Sequence, residues 1–145
     1  MLQVRDIMTS SPITIPEDTS ARDALEMLES MQIHHLPVVD NRGVLLGLIS
    51  ERDLHSLYAP RPELSGDWAQ AARAKLGEPV AQYMIPRPIV VDDNASIETA
   101  LSRILRERVS ALPVVHDGKV VGILSYVDLL LLMARQLGSE TAASG

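Results

Sequence analysis

Two stretches of the chain carry apolar residues at helical spacing, and each begins just after a serine. Ser20 precedes apolar residues at positions 21, 24, 25, 28 and 31, and Ser96 precedes them at 97, 100, 101, 104 and 105. Steps of three and four residues place such side chains on one face of a helix, and serine is a favoured N-cap residue. The pattern predicts two amphipathic helices with capping serines.

A pair of aliphatic runs follows each predicted helix. In the first half "LPVV" at 36–39 and "VLLGLIS" at 44–50 are separated by "DNRG", and in the second half the separator is "HDG". Aspartate, asparagine and glycine between β-branched runs are typical of a hairpin turn. We predict a second helix after each hairpin, at 51–58 and 126–137, and a short extended piece, "ITI" or "IVV", before the first helix. Both halves then have the order strand, helix, strand, strand, helix.

The two halves are copies of one unit. A shift of 76 positions lays Met8 on Met84, Pro12 on Pro88, and the first "LPVV" on the second. After a one-residue deletion the shift becomes 75, and the matched residues are Gly47 with Gly122, Ser50 with Ser125, and Asp53 with Asp128. An internal repeat of this kind indicates two supersecondary units that bury their apolar faces together.

The duplication predicts the domain organisation. Residues 1–58 form the first repeat, 59–79 an inter-repeat loop with a linker helix at about 66–76, 80–138 the second repeat, and 139–145 a disordered tail. A unit of about 50 residues buries too little apolar surface to be stable alone. We therefore expect an α+β fold in which the two units pack about a pseudo-two-fold axis.

Composition narrows the functional classes. The 145 residues include no cysteine and no phenylalanine, and the formal net charge is −6. The lack of cysteine excludes disulfides and Cys-ligated zinc and is compatible with the cytoplasmic location that we predict. An acidic chain disfavours general nucleic-acid binding, and no apolar run approaches the roughly 18 residues of a membrane helix. Because no P-loop and no convergent catalytic set is present, we predict no enzyme, no catalytic cofactor and no metal site.

The repeated stretches "GLISERDL" at 47–54 and "GILSYVDL" at 122–129 raise a chemical question. Serine at an N-cap with an acidic residue three positions later is a variant of the capping box. The same pair suits a ligand, because a helix N-terminus attracts phosphate and a carboxylate accepts hydrogen bonds from two neighbouring hydroxyls. The motif leaves both interpretations open: a helix cap only, or a cap that also grips a ribonucleotide.

The order of these features, found twice, resembles a tandem pair of cystathionine-β-synthase (CBS) domains, also called a Bateman module. The resemblance rests on the "LPVV" strands, the Gly-aliphatic-aliphatic-Ser-x-x-Asp motif, and the lead-in "VRDIMTSSPITI" with its weaker echo "VAQYMIPRPIVV", and it covers residues 2–137. It implies two βαββα repeats forming a stand-alone regulatory module, suited to energy sensing, that binds AMP, ADP, ATP or S-adenosylmethionine between the repeats. It also implies a homodimer and a regulated partner protein that the sequence does not identify. Occupancy would be transmitted as a change in repeat or dimer geometry.

The resemblance also assigns site residues to two clefts. The first cleft would comprise Ser50 and Asp53 for phosphate and ribose, with Arg52 beside them and Met84, Ile89, Ser110 and Ala111 around adenine. The second would comprise Ser125 and Asp128 with Met8, Ile13, His34 and His35, of which His35 is the candidate phosphate ligand.

Structural interpretations stand beside these assignments. The two methionines and two isoleucines are equally well explained as core residues, and Arg52 as a solvated helix residue. His34 and His35 are neighbours on a strand and point to opposite sides, so one is expected to face the ligand and the other solvent. Basic residues are sparse around Asp128, so we expect the Asp53 cleft to be the better phosphate site. A structural dimer with empty clefts is the alternative function.

Overall fold

The computed structural model describes residues 1–57 and 68–144, with side chains for 1–57 and 69–139. The elements in chain order are α1 (Val4–Ile7), β1 (Thr9–Ser10), α2 (Ala21–Met31), β2 (His35–Val39), β3 (Leu45–Ser50), α3 (Glu51–His55), α4 (Trp68–Leu76), a 3₁₀ turn (Val80–Gln82), β4 (Ile85–Pro86), β5 (Val91–Asp92), α5 (Ile97–Glu107), β6 (Ala111–His116), β7 (Lys119–Ser125) and α6 (Tyr126–Ser144). The fold is α+β. The second copy follows the predicted strand, helix, strand, strand, helix order, whereas in the first copy the strand predicted at 13–15 is reduced to an isolated bridge.

The chain divides into two compact units that do not coincide with the sequence repeats. The central unit is Ile13–Pro88, and the terminal unit combines Met1–Pro12 with Ile89–Gly145. Each unit therefore contains the body of one repeat and the lead-in segment of the other. The predicted repeat boundaries at 58 and 80 describe the duplication, whereas folding groups the residues differently.

The central unit contains a three-stranded sheet in the order β2-β3-β4. Strands β2 and β3 are antiparallel, with His35 opposite Ser50, and the predicted opening strand pairs only through a parallel bridge between Ile15 and Val38. Its core is aliphatic and consists of Ile15, Ala21, Ala24, Leu28, Leu36, Val38, Ile49, Leu54 and Val80. Helix α2 supplies three of these residues from the face that the sequence pattern predicts.

The terminal unit contains a four-stranded sheet in the order β1-β7-β6-β5. Strand β5 is parallel to β6, and β7 is antiparallel to both β6 and β1. The core residues are Val4, Val91, Ala100, Ile104, Leu112, Val114 and Leu124. Both units thus bury the apolar side of a predicted amphipathic helix against a hairpin.

The predicted caps and turns are confirmed. The Oγ atoms of Ser20 and Ser96 accept hydrogen bonds from backbone N–H groups three residues later, at 3.1 Å in both helices. In the second hairpin, Asp117 and Gly118 both have positive φ, at 50° and 79°. Turns of this kind match the twist of the strands that they join.

Several boundaries differ from the prediction. Helix α3 ends at His55, whereas we predicted a helix over 51–58. The described part of the predicted linker helix is α4, from Trp68 to Leu76. Helix α6 continues to Ser144, so the prediction of a disordered tail at 139–145 was wrong for 139–144. Alanine and glutamate in that stretch have high helix propensity, which outweighs the single Gly138. Residues 59–67 of the predicted inter-repeat loop lie outside the described residues. Within the described residues, no helix combines the length and apolar character needed to span a bilayer.

Helices α2 and α5 end on residues in the left-handed conformation. Gln32 and Arg108 both have φ 55° and ψ 43°. Side chains with a Cβ are disfavoured there, whereas glycine adopts this conformation without the clash. Replacing Gln32 or Arg108 by glycine should raise the free energy of unfolding by about 0.5–1 kcal/mol, after allowing for the greater freedom of glycine in the unfolded chain. Denaturant unfolding measures this change. Gln32→Ala is the control that retains the clash, and a glycine variant no more stable than the alanine variant would contradict the prediction.

Candidate functional site

The first Ser-x-x-Asp motif forms a complete helix cap. Ser50 ends β3 and is the N-cap of α3. Oδ2 of Asp53 accepts hydrogen bonds from the N–H of Ser50 at 3.2 Å and from its Oγ at 2.8 Å, while Oγ of Ser50 accepts from the N–H of Asp53 at 3.1 Å. Among the described residues, nothing donates a hydrogen bond to Oδ1 of Asp53. The cap therefore occupies one carboxylate oxygen and leaves the other as an acceptor.

The second motif repeats this arrangement in the terminal unit. Oδ2 of Asp128 accepts from the N–H of Ser125 at 2.8 Å and from its Oγ at 3.2 Å, and the N–H of Asp128 donates to Oγ of Ser125 at 3.4 Å. Both aspartates are half-buried. Oδ1 of Asp128 is likewise without a hydrogen-bond donor in the part of the chain that the structure describes. The two copies present the same chemistry, a half-buried carboxylate with one unused oxygen.

A methionine from a lead-in segment packs against the strand that leads into each motif. A Cβ added at Gly47 would lie 2.8 Å from Cγ of Met84 and 3.0 Å from the carbonyl oxygen of Ile85. The equivalent Cβ at Gly122 would lie 3.0 Å from Cγ of Met8 and 2.9 Å from the carbonyl oxygen of Thr9. Only glycine allows an approach this close. The structure thus brings each methionine into the same unit as the motif to which the sequence assigned it.

The two isoleucines assigned to the ligand are not core residues. Ile13 is 38% exposed and Ile89 is 37% exposed, whereas Met8 and Met84 are partly buried against the cores of their units. The core interpretation therefore fits the methionines and not the isoleucines. Exposed isoleucines remain accessible to a ligand.

His35 lies beside the first motif. It is half-buried on β2 opposite Ser50 in the antiparallel register. Burial is the main cause that lowers the pKa of His35 below its ordinary value; the neighbouring His34 lowers it further, and Asp53 acts in the opposite direction. His35 is thus favoured in its neutral form unless a negative charge approaches it. Its predicted role in the Asp128 cleft stays a prediction.

His34 belongs to a cluster that the sequence analysis missed. Its side chain is 77% exposed, and its Nδ1 lies 2.9 Å from Oε2 of Glu51, while Nε2 of His55 lies 3.3 Å from Oε1 of the same carboxylate. The hydrogen bonds from His34 and then His55 lower the pKa of Glu51. The only sequence signal was the i, i+4 spacing of Glu51 and His55. Among the described residues, no group of three potential ligands is placed to hold a metal ion.

The remaining assigned residues divide between the units. Arg52 is exposed on α3, as its solvated interpretation predicts. In the terminal unit the carbonyl oxygen of Ser110 accepts from the N–H of Tyr126 at 3.1 Å, and the buried Ala111 lies opposite Ser125 in the sheet. Ser110 and Ala111 are therefore neighbours of the second motif, as His34 and His35 are of the first. Their predicted contact with an adenine held at Asp53 stays a prediction.

Known proteins share the sequence pattern of this chain. The profile of the CBS domain family matches residues 4–59 and 80–135. A CBS domain-containing protein of Dictyostelium discoideum is 34% identical over 137 residues, which cover 92% of each chain. The chain belongs to the CBS domain family.

Solved structures of CBS pairs share its fold. The crystal structure of CBSX2 of Arabidopsis thaliana in complex with AMP is similar with a TM-score of 0.76 at 30% identity, covering 93% of this chain and 98% of that one. The CBS domain pair of protein MJ0100, in complex with 5′-methylthioadenosine and S-adenosyl-L-methionine, is similar with a TM-score of 0.75 at 26% identity, covering 94% and 98%. Both structures contain adenosine compounds.

The half-buried His35 makes the stability of this CBS pair depend on pH. Because the folded-state pKa of His35 lies below its unfolded value of about 6.5, the unfolded chain takes up this proton first as the pH falls. The contribution of the neutral ring is present above the unfolded pKa and is lost as the pH falls through the folded pKa. Wild type should therefore lose more stability than His35→Gln between about pH 7.5 and about pH 5.5. Denaturant unfolding at the two pH values measures this difference. His116, whose pKa is raised by its hydrogen bond to Asp93, is present in both proteins. Equal losses in the two proteins would contradict the prediction.

Proposed function

We propose that this chain is a regulatory module that binds an adenosine-containing ligand through its Ser-x-x-Asp motifs. The observation that carries the proposal is the unused Oδ1 of Asp53 and of Asp128, each at the end of a strand and the start of a helix. A half-buried carboxylate oxygen is a strong acceptor for a ribose hydroxyl, since hydrogen bonds to charged groups contribute about 1.5–3 kcal/mol. The helix cap and the proposed ligand contact thus use different oxygens of one carboxylate.

Most N–H groups at the start of α3 and of α6 are already hydrogen-bonded within the chain, so few are available to a phosphate. In α3 the N–H of Glu51 donates to the carbonyl oxygen of His34 at 3.0 Å, and the N–H of Asp53 donates to Ser50. In α6 the N–H groups of Tyr126 and Asp128 are used in the same way. Two of the first three N–H groups of each helix are therefore already hydrogen-bonded. We infer that recognition rests on the adenosine part, with phosphate contributing less than the sequence motif suggests.

The relatives support a ligand of this class. CBSX2 is described with AMP, and the MJ0100 pair with 5′-methylthioadenosine and S-adenosyl-L-methionine. The last two compounds carry no phosphate, which agrees with an emphasis on ribose. Of the assigned residues, Met84 lies in the same unit as Asp53 and Met8 in the same unit as Asp128, and we propose both as ligand contacts. AMP, ADP and ATP remain candidates alongside S-adenosylmethionine.

Regulation requires that the ligand favour one conformation over another. A ligand shifts a conformational equilibrium only by its difference in affinity for the two states. We propose that occupancy is passed on as a change in repeat or dimer geometry to a regulated protein. The cytoplasmic location stays a prediction, and we propose no catalytic step for this chain.

Calorimetric titration tests whether the Ser-x-x-Asp motifs bind a ligand in addition to capping a helix. AMP, ADP, ATP, S-adenosylmethionine and 5′-methylthioadenosine would each be titrated into wild type, Asp53→Ala and Asp128→Ala. We expect at least one compound to bind and one of the two variants to weaken it about tenfold or more, because a charged acceptor is lost. Ser96→Ala is the control, since it removes a helix cap outside the motifs and should reduce stability without reducing affinity.

Two outcomes would contradict the proposal. If no adenosine compound binds to the folded protein, or if the aspartate variants lose only stability, the motif is a cap alone. A structural dimer with empty clefts would then be the favoured function.

An apolar surface on α6 supports the predicted homodimer. Its large side chains are 46–56% exposed, and they are Tyr126, Val127, Leu130, Leu131, Met133 and Leu137. A contiguous apolar surface of this kind on a folded chain usually marks an interaction site. We propose that a second copy of this chain covers it.

A charge in this surface should separate the dimer. Sizing with light scattering is expected to give a dimer for wild type and a monomer for Leu130→Glu, because burying an unpaired carboxylate in an apolar interface is unfavourable. Gln136→Glu adds the same charge to the same helix outside the apolar stripe, so it should remain dimeric. A wild-type monomer at micromolar concentration, or a dimer for Leu130→Glu, would show that α6 is not the interface.

A further inference from the structure

The central unit contains a groove that the proposed ligand sites do not use. Its volume is about 570 Å³, and its lining includes Ile15, Glu17, Asp18, Val39, Asp40 and Leu46. It lies at the turn end of the β2–β3 hairpin, whereas Ser50 and His35 are at the other end. A ligand in this groove would therefore be independent of the Ser50–Asp53 site.

The groove combines an apolar floor with an acidic rim. Ile15 is buried, and Glu17 and Asp18 on the rim are exposed. In the described part of the chain, neither of these two carboxylates has a side-chain hydrogen bond or ion pair. Asp40 is different, because its Oδ1 accepts from the N–H of Arg42 at 2.8 Å and of Val44 at 3.0 Å and so holds the turn. Glu17 and Asp18 are thus two rim carboxylates that have no cationic partner among the described residues.

At the equivalent location of the terminal unit, a histidine contacts the acidic side chain. The duplication lays Asp93 on Glu17 and His116 on Asp40. Nδ1 of His116 lies 3.1 Å from Oδ1 of Asp93, and its Nε2 lies 3.4 Å from Oδ2 of Asp117. Asp93 is only 14% exposed. A histidine ring from the chain itself therefore contacts the acidic position in one copy, and the other copy has Asp40 where that ring would stand.

We propose that the groove of the central unit is a docking site for an arginine or lysine side chain of a partner protein. The aliphatic stem of such a side chain would lie on Ile15, Val39 and Leu46, and its cationic head would meet Glu17 and Asp18. Long basic side chains bury their stems on apolar surface in this way while the head stays polar. The net charge of −6 would also attract a basic partner.

Titration of the ¹⁵N-labelled full chain with a blocked peptide, acetyl-Ala-Ala-Arg-Ala-Ala-amide, tests the proposal by NMR. We expect amide shifts confined to residues 14–18 and 39–46. The same peptide with citrulline in place of arginine is nearly isosteric and uncharged, and it should give no such shifts. Shifts of equal size with the citrulline peptide, or shifts spread over other acidic surfaces, would overturn the proposal.

Charge variants test whether the rim carboxylates of Glu17 and Asp18 bind the peptide. Glu17→Gln combined with Asp18→Asn should weaken binding of the arginine peptide about three- to tenfold, as expected for two exposed ion pairs. Glu26→Gln combined with Glu29→Gln removes two exposed charges from α2 in the same unit and should leave affinity unchanged. Equal weakening by both double variants would mean that the peptide responds only to net charge, which overturns a specific groove.

Agmatine distinguishes a protein segment from a small cation. It carries the guanidinium and stem of arginine without a peptide backbone, so it should bind more weakly than the peptide. Binding of agmatine as tight as that of the peptide would assign the groove to small organic cations and overturn a protein partner. The Asp53→Ala and Asp128→Ala variants should bind the peptide normally, so failure of the nucleotide proposal and failure of this one are distinguishable.

Discussion

The contact between each lead-in segment and a strand glycine is the constraint on which both units depend. At Gly47 and Gly122 the absent Cβ leaves room for a methionine side chain and for the backbone of a short strand. Strand β4 then pairs with β3, and β1 pairs with β7. Because β3 and β7 continue directly into Ser50 and Ser125, the same contact also places a thioether near each candidate ligand site.

Each motif aspartate combines a structural and a functional task. One oxygen completes a capping box, which satisfies donors at a helix start and holds the carboxylate in one orientation. The other oxygen is then presented in a constant direction without any further ordering on binding. Preorganisation of this kind reduces the entropy that a ligand must overcome. A cap and a ligand contact are therefore complementary in this fold.

Duplication supplies an internal comparison, because two copies with one backbone pattern carry different charges. Beside the first motif Glu51 is flanked by two histidines, whereas the second motif has Tyr126 in that position. At the hairpin turn the histidine is instead in the second copy, which has His116 where the first copy has Asp40. The same scaffold thus produces distinct electrostatic surfaces, and the two copies need not bind the same partners.

Local rules explain what the sequence by itself determined. Helical periodicity, capping serines and turn residues act over a few positions, so they were sufficient for the amphipathic helices, the two hairpins, the duplication and the Ser-x-x-Asp caps. They did not predict the short elements α1, β1 and β4 of the lead-in segments. The end of α6 was mispredicted because helix propensity competes closely with glycine. Tertiary structure decided which distant segments fold together: the exchange of lead-in segments, His35 beside Ser50, Ser110 beside Tyr126, and the histidines around Glu51. These partners are separated along the chain, and their pairing depends on strand register and close packing that a one-dimensional pattern does not contain.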